Sequence, residues 1–343
     1  MTDDGAKTRR YKLPAWAAAF ALAFLFGLYL WRAAAARPYR RTDYLFGTLI
    51  EITAYGPKAR AGVEAAFAAM RAVAQEVDPQ RPASDLARLN RAAGEKPVRV
   101  TRETMVLLAL AKEWWRRSAG AFDVTVGPLV HAWGFDPGGR PHLPSEEAIA
   151  AARRLVGAGD LFLDEAKGTA FLKRPGMAVD LGGMAKGYAV DLAYEALRRA
   201  GVRSALINAG GSSIRVLGRP PQGGFWRIGI AHPRRSGEFL AVLRLGPGEA
   251  MGTSADNQRF FMAGGRRYSH LLDPATGYPA AEAILFSVVA KDAAVADILS
   301  TACFVRGPEA GLELARAAGA EAIVYAAGGV VKTTKGLRVS EKK

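Results

Sequence analysis

Cysteine is nearly missing from this chain. Cys303 is alone among 343 residues, so no disulfide can close within the chain and no cysteine-rich metal site can form. Histidine is scarce too, and His131, His142 and His232 have no partner at metal or triad spacing. No Gly-x-Ser-x-Gly elbow occurs, and Cys303 has no base nearby, so serine and cysteine hydrolase chemistry is unsupported. Fixed-period repeats and low-complexity tracts are absent, which excludes solenoids. Nothing resembles a zinc finger, a basic helix or aromatic–basic interleaving, so nucleic acid is not an expected partner. Acidic side chains are in deficit, 32 against 47 basic, for a formal net charge of +15. Such a surface suits a phosphate-bearing ligand or an anionic membrane, and equally a solvated face without a task. Cys303 itself lies in an apolar run and reads as a core residue.

Charge is also absent from Leu13 to Trp31, a run of 19 residues. As a helix it crosses about 30 Å of hydrocarbon. Lys7, Arg9, Arg10 and Lys12 precede it as in a secretory n-region, and Tyr29 and Trp31 suit the far interface. The length favours an uncleaved anchor, with Ala33–Ala36 as the alternative cleavage site. No cysteine follows for lipidation. The expected layout is a cytoplasmic n-region 1–12, a transmembrane signal anchor 13–32, a linker 33–42, one domain 43–336 and a tail 337–343. The placement that follows is the cytoplasmic (inner) membrane, with the domain on its outer, periplasmic side.

Within that domain long helical patterns mix with clusters of strands without a βαβ rhythm, so the class is α+β. Tyr44–Tyr55 reads as a strand. Gly62–Val77, Thr101–Ser118, Lys186–Ala200, Asp292–Val305 and Pro308–Ala318 read as helices, and Ser84 and Ser145 as caps of two more. Gly120–Leu129 reads as a strand followed by a Pro-started helix.

Several segments carry chemistry. Asp297 and Thr301, four apart on an otherwise apolar helix, put a carboxylate and a hydroxyl on one face. Hard oxygen suits Mg²⁺ or Ca²⁺, not zinc, and a buried Asp needs a cation or a hydrogen-bond network; a capped or partly exposed Asp is the alternative reading. Asp180-Leu-Gly-Gly-Met-Ala-Lys186 is a Gly turn opening a helix, with a lysine at the end that already attracts anions. It is neither a Walker motif nor a GxGxxG fingerprint, and a tight turn with a surface lysine reads equally well. His270, Asp273 and Thr276 share a loop stiffened by Pro274, Gly277 and Pro279. His270 there suits proton transfer and equally a structural turn, while Asp273 reads better as a local cap. Asp123, the Asn208–Gly211 turn and the hydroxyls of Thr253 and Ser254 add weaker signals, Asp123 as an acceptor for a ring or ribose donor.

In this order the segments resemble the ApbE family, the FAD:protein FMN transferases, from about Tyr44 to Thr334. The likeness is carried by Phe46-Gly-Thr48, Ser84-Asp-Leu-Ala-Arg-Leu-Asn90, Gly120-Ala-Phe-Asp-Val-Thr-Val-Gly-Pro-Leu129 and Asp180-Leu-Gly-Gly-Met-Ala-Lys-Gly-Tyr188. It continues through Asn208-Ala-Gly-Gly211, Thr253-Ser254, Ser269-His-Leu-Leu-Asp-Pro-Ala-Thr-Gly-Tyr-Pro279 and Ala296-Asp-Ile-Leu-Ser-Thr301. It implies a single T-fold-like domain that binds FAD as substrate with Mg²⁺. FMN would pass through a phosphoester bond to a threonine of an acceptor flavoprotein, such as a membrane electron-transfer subunit, with release of AMP. The alternatives are an FAD pyrophosphatase and a non-catalytic FAD-binding protein. By resemblance Phe46, Ala121, Phe122, Asp123, Asp180, Lys186 and Leu271 hold the flavin nucleotide. Asp297 and Thr301 bind the metal by side chain, Gly183 and Ser300 by backbone oxygen, and His270 takes the proton, as a base titrating near 7. The chain departs from the family pattern at Ala255 (usually Gly), at His131 (usually Asn), at Phe46 (often Met) and in 78–83, which lacks an aromatic.

Overall fold

The computed structural model describes Phe20 and residues 37–340. The expected n-region, the anchor but for Phe20 and most of the linker lie outside the described residues. Among those described, no helix is long and apolar enough to cross a membrane.

The described strands are β1 (Pro38–Leu45), β2 (Thr48–Tyr55), β3 (Val98–Arg99), β4 (Leu161–Asp164), β5 (Thr169–Leu172), β6 (Ser204–Ala209), β7 (Ser213–Leu217) and β8 (Trp226–Ala231). They continue with β9 (Phe239–Leu245), β10 (Ala250–Ala255), β11 (Phe260–Ala263), β12 (Arg266–Ser269), β13 (Ala283–Ala290), β14 (Glu321–Ala326) and β15 (Val331–Thr333). The helices are α1 (Ala59–Glu76), α2 (Asp85–Arg91), α3 (Arg102–Arg117), α4 (Gly127–Ala132), α5 (Glu146–Arg153), α6 (Ala185–Arg199), α7 (Ala293–Arg306) and α8 (Pro308–Ala317). The class is the expected α+β.

Eight strands form one antiparallel sheet in the order β1-β2-β6-β7-β10-β13-β14-β15. Period-two alternation gives it two apolar faces. On one, Ile50, Ile52, Ala205 and Ile207 pack with Val63, Phe67 and Met70 of α1 and Val190 and Leu197 of α6. On the other, Ile214, Val216, Leu285 and Ile323 pack with Trp226, Ile228 and Leu243 of the β8–β9 hairpin. A third core joins α3, the small sheet β3-β5-β4, α7 and α8. Each fully buried aliphatic or aromatic side chain contributes about 1.5–3 kcal/mol relative to exposure, so these cores hold the elements that frame the site.

Helix α7 is apolar all round and buried along most of its length, as a helix enclosed on every side must be. It approaches its neighbours at two glycines. A Cβ on Gly252 of β10 would lie 2.3 Å from the Ala296 carbonyl, and one on Gly187 of α6 would lie 2.3 Å from the Ala293 oxygen. Only a missing side chain permits either approach.

Three expectations change. Tyr44–Tyr55 is not one strand but the end of β1, a two-residue turn and β2. Phe46 and Gly47 sit at φ 53° and 72°, both in the left-handed region that a tight right-twisting hairpin demands. The stretch 121–126 is a turn rather than a strand, its one ladder contact being the Val126–Ala178 bridge. Paired backbone also continues past the expected domain edges. β1 begins at Pro38, inside the expected linker, and Val339, in the expected tail, bridges to Leu243.

Candidate functional site

Asp297 lies in the first half of α7, buried. Its Oδ2 accepts the Gly187 N–H at 2.9 Å, from the first turn of α6. The Ser213 hydroxyl of β7 reaches both of its oxygens, at 2.9 and 2.7 Å. These donors are neutral, so burial dominates and pushes the carboxyl up to about 7, against the pull of Lys186.

Around it the donors are oxygens. Ser254 on β10 bonds Ser300 Oγ at 2.9 Å and Thr301 Oγ1 at 3.2 Å. Ser300 Oγ donates back to the Asp297 carbonyl at 2.9 Å. The Gly183 turn closes on the same spot: a Cβ there would lie 3.6 Å from Thr301 Oγ1 and 3.1 Å from the Phe122 ring. Among the described residues no group of three or more His, Cys, Asp or Glu converges. One carboxylate, hydroxyls and backbone oxygen fit a hard divalent cation that draws its remaining ligands from a phosphate-bearing substrate, as Mg²⁺ does.

Beside this cluster stands a charged one. Asp180 Oδ1 accepts the Gly182 N–H at 2.6 Å. Burial raises its carboxyl, opposed by that bond and by Arg259 and Lys186. His270 accompanies them. Its ring Nδ1 is 3.2 Å from the Arg259 carbonyl, which also accepts the His270 N–H at 3.0 Å. A carbonyl only accepts, so the neutral ring carries its proton on Nδ1 and presents Nε2 as a lone pair. Burial first, then the positive charges of Arg259 and Lys186, lower the imidazole to about 4. For the chain by itself, burial more than the two cations holds the ring below the near-7 base of the sequence reading. The field of Lys186 reaches Asp180, His270 and Asp297 alike, so it joins the two clusters.

Ala121 and Asp123 line a cleft of about 350 Å³ with Trp115, Asp273, Val305 and Arg306. Asp123 spends most of its capacity locally. Oδ1 takes the Thr125 N–H at 2.8 Å and hydroxyl at 2.6 Å, and Oδ2 takes the Ala158 N–H at 3.0 Å. What it chiefly does is shape the turn that carries Ala121 and Phe122. Leu271 is buried in the core beside α7. Phe46 packs from the β1–β2 turn against two of the cores, and Thr48 beside it closes on Gly210. Asn90 binds the Val179 backbone in both directions, N–H at 2.8 Å and carbonyl at 3.0 Å, and so fixes the approach to Asp180. Asp273 caps the Ala275 N–H at 2.9 Å, the local role read from the loop. Cys303 is buried, its thiol pushed up to about 12 by desolvation, and is inert.

Two residues of the site went unread in the sequence, Ser213 and Arg259. Ser213 follows the Asn208–Gly211 turn by two, which is the only signal available for it.

The profile of the ApbE family matches residues 46–324. A Rhodobacter capsulatus protein named FAD:protein FMN transferase is 35% identical over 292 residues, covering 82% of this chain and 54% of that protein. The chain thus spans about half the length of that relative. A Vibrio cholerae protein of the same name is 34% identical over 249 residues, covering 71% of this chain and 73% of its own. The crystal structure of the ApbE protein from Thermotoga maritima superposes with a TM-score of 0.81 at 31% identity, covering 87% of this chain and 97% of that one.

Proposed function

The chain belongs to the ApbE family, and from that premise we propose that it is a Mg²⁺-dependent FAD:protein FMN transferase anchored in the cytoplasmic membrane with its domain outside. Residues Phe46, Ala121, Phe122, Asp123, Asp180, Lys186 and Leu271 hold FAD. The side chains of Asp297 and Thr301 and the backbone oxygens of Gly183 and Ser300 hold the metal. The observation that carries this reading is the meeting of the Gly183 turn with Asp297 and Thr301, beside the cations of Lys186 and Arg259.

A bound Mg²⁺ supplies neutralisation of the diphosphate oxygens as charge grows on the leaving group. The rest falls to the chain's own residues. Lys186 and Arg259 draw in the diphosphate. Its negative charge offsets theirs and raises the proton affinity of His270. The Arg259 carbonyl holds Nδ1–H, so Nε2 takes the proton of an acceptor threonine. The threonine Oγ–phosphorus bond forms as the bond to the AMP oxygen breaks, and AMP leaves. The acceptor is a flavoprotein facing the same side of the membrane.

Incubation with FAD, Mg²⁺ and a threonine-bearing acceptor domain, followed by intact mass, tests this. A gain of one FMN moiety on the acceptor supports it. Free FMN and AMP with an unmodified acceptor point to a pyrophosphatase, and unchanged FAD to a binding protein.

A further inference from the structure

Phe225, just ahead of β8, is exposed, and three guanidinium groups gather over its ring: Arg338 at 5.2 Å, Arg244 at 5.8 Å and Arg219 at 6.0 Å. Arg244 also stands directly across the β8–β9 ladder from Arg227, and both are exposed. Like charges opposed on a ladder destabilise it. Arg338 is paired with Glu249, whereas among the described residues Arg219, Arg227 and Arg244 have no carboxylate partner. Excess positive charge around an exposed aromatic ring is the chemistry of an anionic interface.

The path of the chain says which interface. The described domain begins beside this patch. Pro38 lies opposite Tyr55 in the β1–β2 register, and the Tyr55 ring is 6.3 Å from that of Trp226, the residue after Phe225. Only residues 32–37 separate Pro38 from the uncharged run 13–31. Fully extended, they span about 20 Å. The β8–β9 hairpin covers the sheet face opposite α1 and α6.

We propose that the arginine face around Phe225 is the membrane-facing surface of the domain and seats on anionic phospholipid headgroups. This rests on the anchor reading given above. Seated so, the domain meets the bilayer through β8–β9, on the sheet face opposite α1 and α6.

The test uses the full chain in nanodiscs of phosphatidylcholine alone or with phosphatidylglycerol added, read by hydrogen exchange. Expected is slower exchange over β8 and β9 only with phosphatidylglycerol. High salt and the triple variant Arg219→Ser/Arg227→Ser/Arg244→Ser should each remove it. Flotation with anionic vesicles is informative only for a chain that carbonate extracts, because an inserted helix holds every variant; there the triple variant should partition roughly a hundred-fold more weakly. FMN transfer in detergent should be unchanged, and because like charges are relieved the melting temperature should not fall. Arg227→Ser alone provides a milder second variant. Equal exchange in both lipids, or a triple variant that behaves as wild type, overturns the proposal. So does protection that needs an acidic acceptor protein and no anionic lipid, which would make the face a protein-docking surface. Alkaline carbonate extraction separates the two readings. If it releases the chain, the anchor reading fails, and flotation decides the patch alone: salt-sensitive binding lost in the triple variant upholds it, and no binding overturns it.

Discussion

The single hydroxyl of Ser213 is shared between both carboxylate oxygens of Asp297, at 2.9 and 2.7 Å, from a strand 84 residues earlier. It orients the carboxylate without neutralising it. Replacing it leaves a buried charge short of a donor, which costs about 1–3 kcal/mol. Losing an orienting partner of a metal ligand typically weakens binding about 10–100-fold. Ser213→Ala should therefore raise the Mg²⁺ concentration needed for half-maximal FMN transfer by at least about ten-fold, with a smaller change in kcat at saturating metal. A Mg²⁺ titration of activity checks this; an unchanged midpoint removes Ser213 from the site.

Asp297 and His270 bias stability in opposite directions with pH. Burial raises Asp297 to about 7, so its native form prefers the proton; its contribution is present at low pH and is lost as pH rises from the ordinary carboxylate range through about 7. His270 is lowered from 6.5 to about 4, so its contribution is present above 6.5 and is lost as pH falls toward 4. In the metal-free wild type the two slopes offset each other between those limits. Relative to wild type, Asp297→Asn should make the slope of melting temperature against pH more positive between about 4 and 7, and His270→Gln more negative between about 4 and 6.5. Melts in EDTA across this range decide it; parallel curves in both variants would refute the assignment.

Much of the site was legible because its chemistry is local in sequence. The i,i+4 spacing of Asp297 and Thr301 on an apolar helix and the Gly182-Gly183 turn before Lys186 are local signals that each also fit a plain structural reading, and their order along the chain is what resembles the family. Long-range partners were not legible. Ser213 is one buried hydroxyl in a strand whose residues are all buried, and Arg259 is one of 47 basic residues; only the fold brings them to Asp297 and His270. The Phe46-Gly47 turn was hidden for another reason. Phenylalanine rarely takes a positive φ, so the pair lacks the Asn-Gly or Asp-Gly signal that marks such a hairpin. Asp123 looked free for a ligand because the Thr125 and Ala158 donors that fill it form a turn invisible to periodicity.

Gly187 has two tasks. Its N–H holds Asp297, and its bare Cα lets α6 touch the start of α7. Gly187→Ala would place a methyl 2.3 Å from the Ala293 carbonyl oxygen, a backbone atom that cannot swing aside. Overpacking of this kind costs about 1–3 kcal/mol. The variant should lose that stability in urea and also need more Mg²⁺, because moving α7 moves Asp297. Gly211→Ala, where no atom lies within 4 Å but φ is 71°, is the control: backbone strain without a shift of α7. It should lower stability and leave the Mg²⁺ midpoint unchanged.

If His270 acts as the base, its environment sets the shape of the pH–rate curve. The imidazole of the free chain is neutral above about 4, held so by burial and by Arg259 and Lys186. At saturating Mg²⁺, where Asp297 no longer takes up protons, kcat/KM for FAD should not fall through pH 6.5 as it would for an ordinary histidine. Its acid limb should instead lie near 4. The curve for kcat reports the bound complex. There the diphosphate screens both cations, so its acid limb should move up toward the ordinary histidine range. Arg259→Gln removes one of those cations while leaving the backbone carbonyl that fixes Nδ1. It should therefore raise the kcat/KM limb and narrow the gap between the two curves. Coincident limbs in wild type, or a gap that Arg259→Gln leaves intact, would mean that the proton goes to another group.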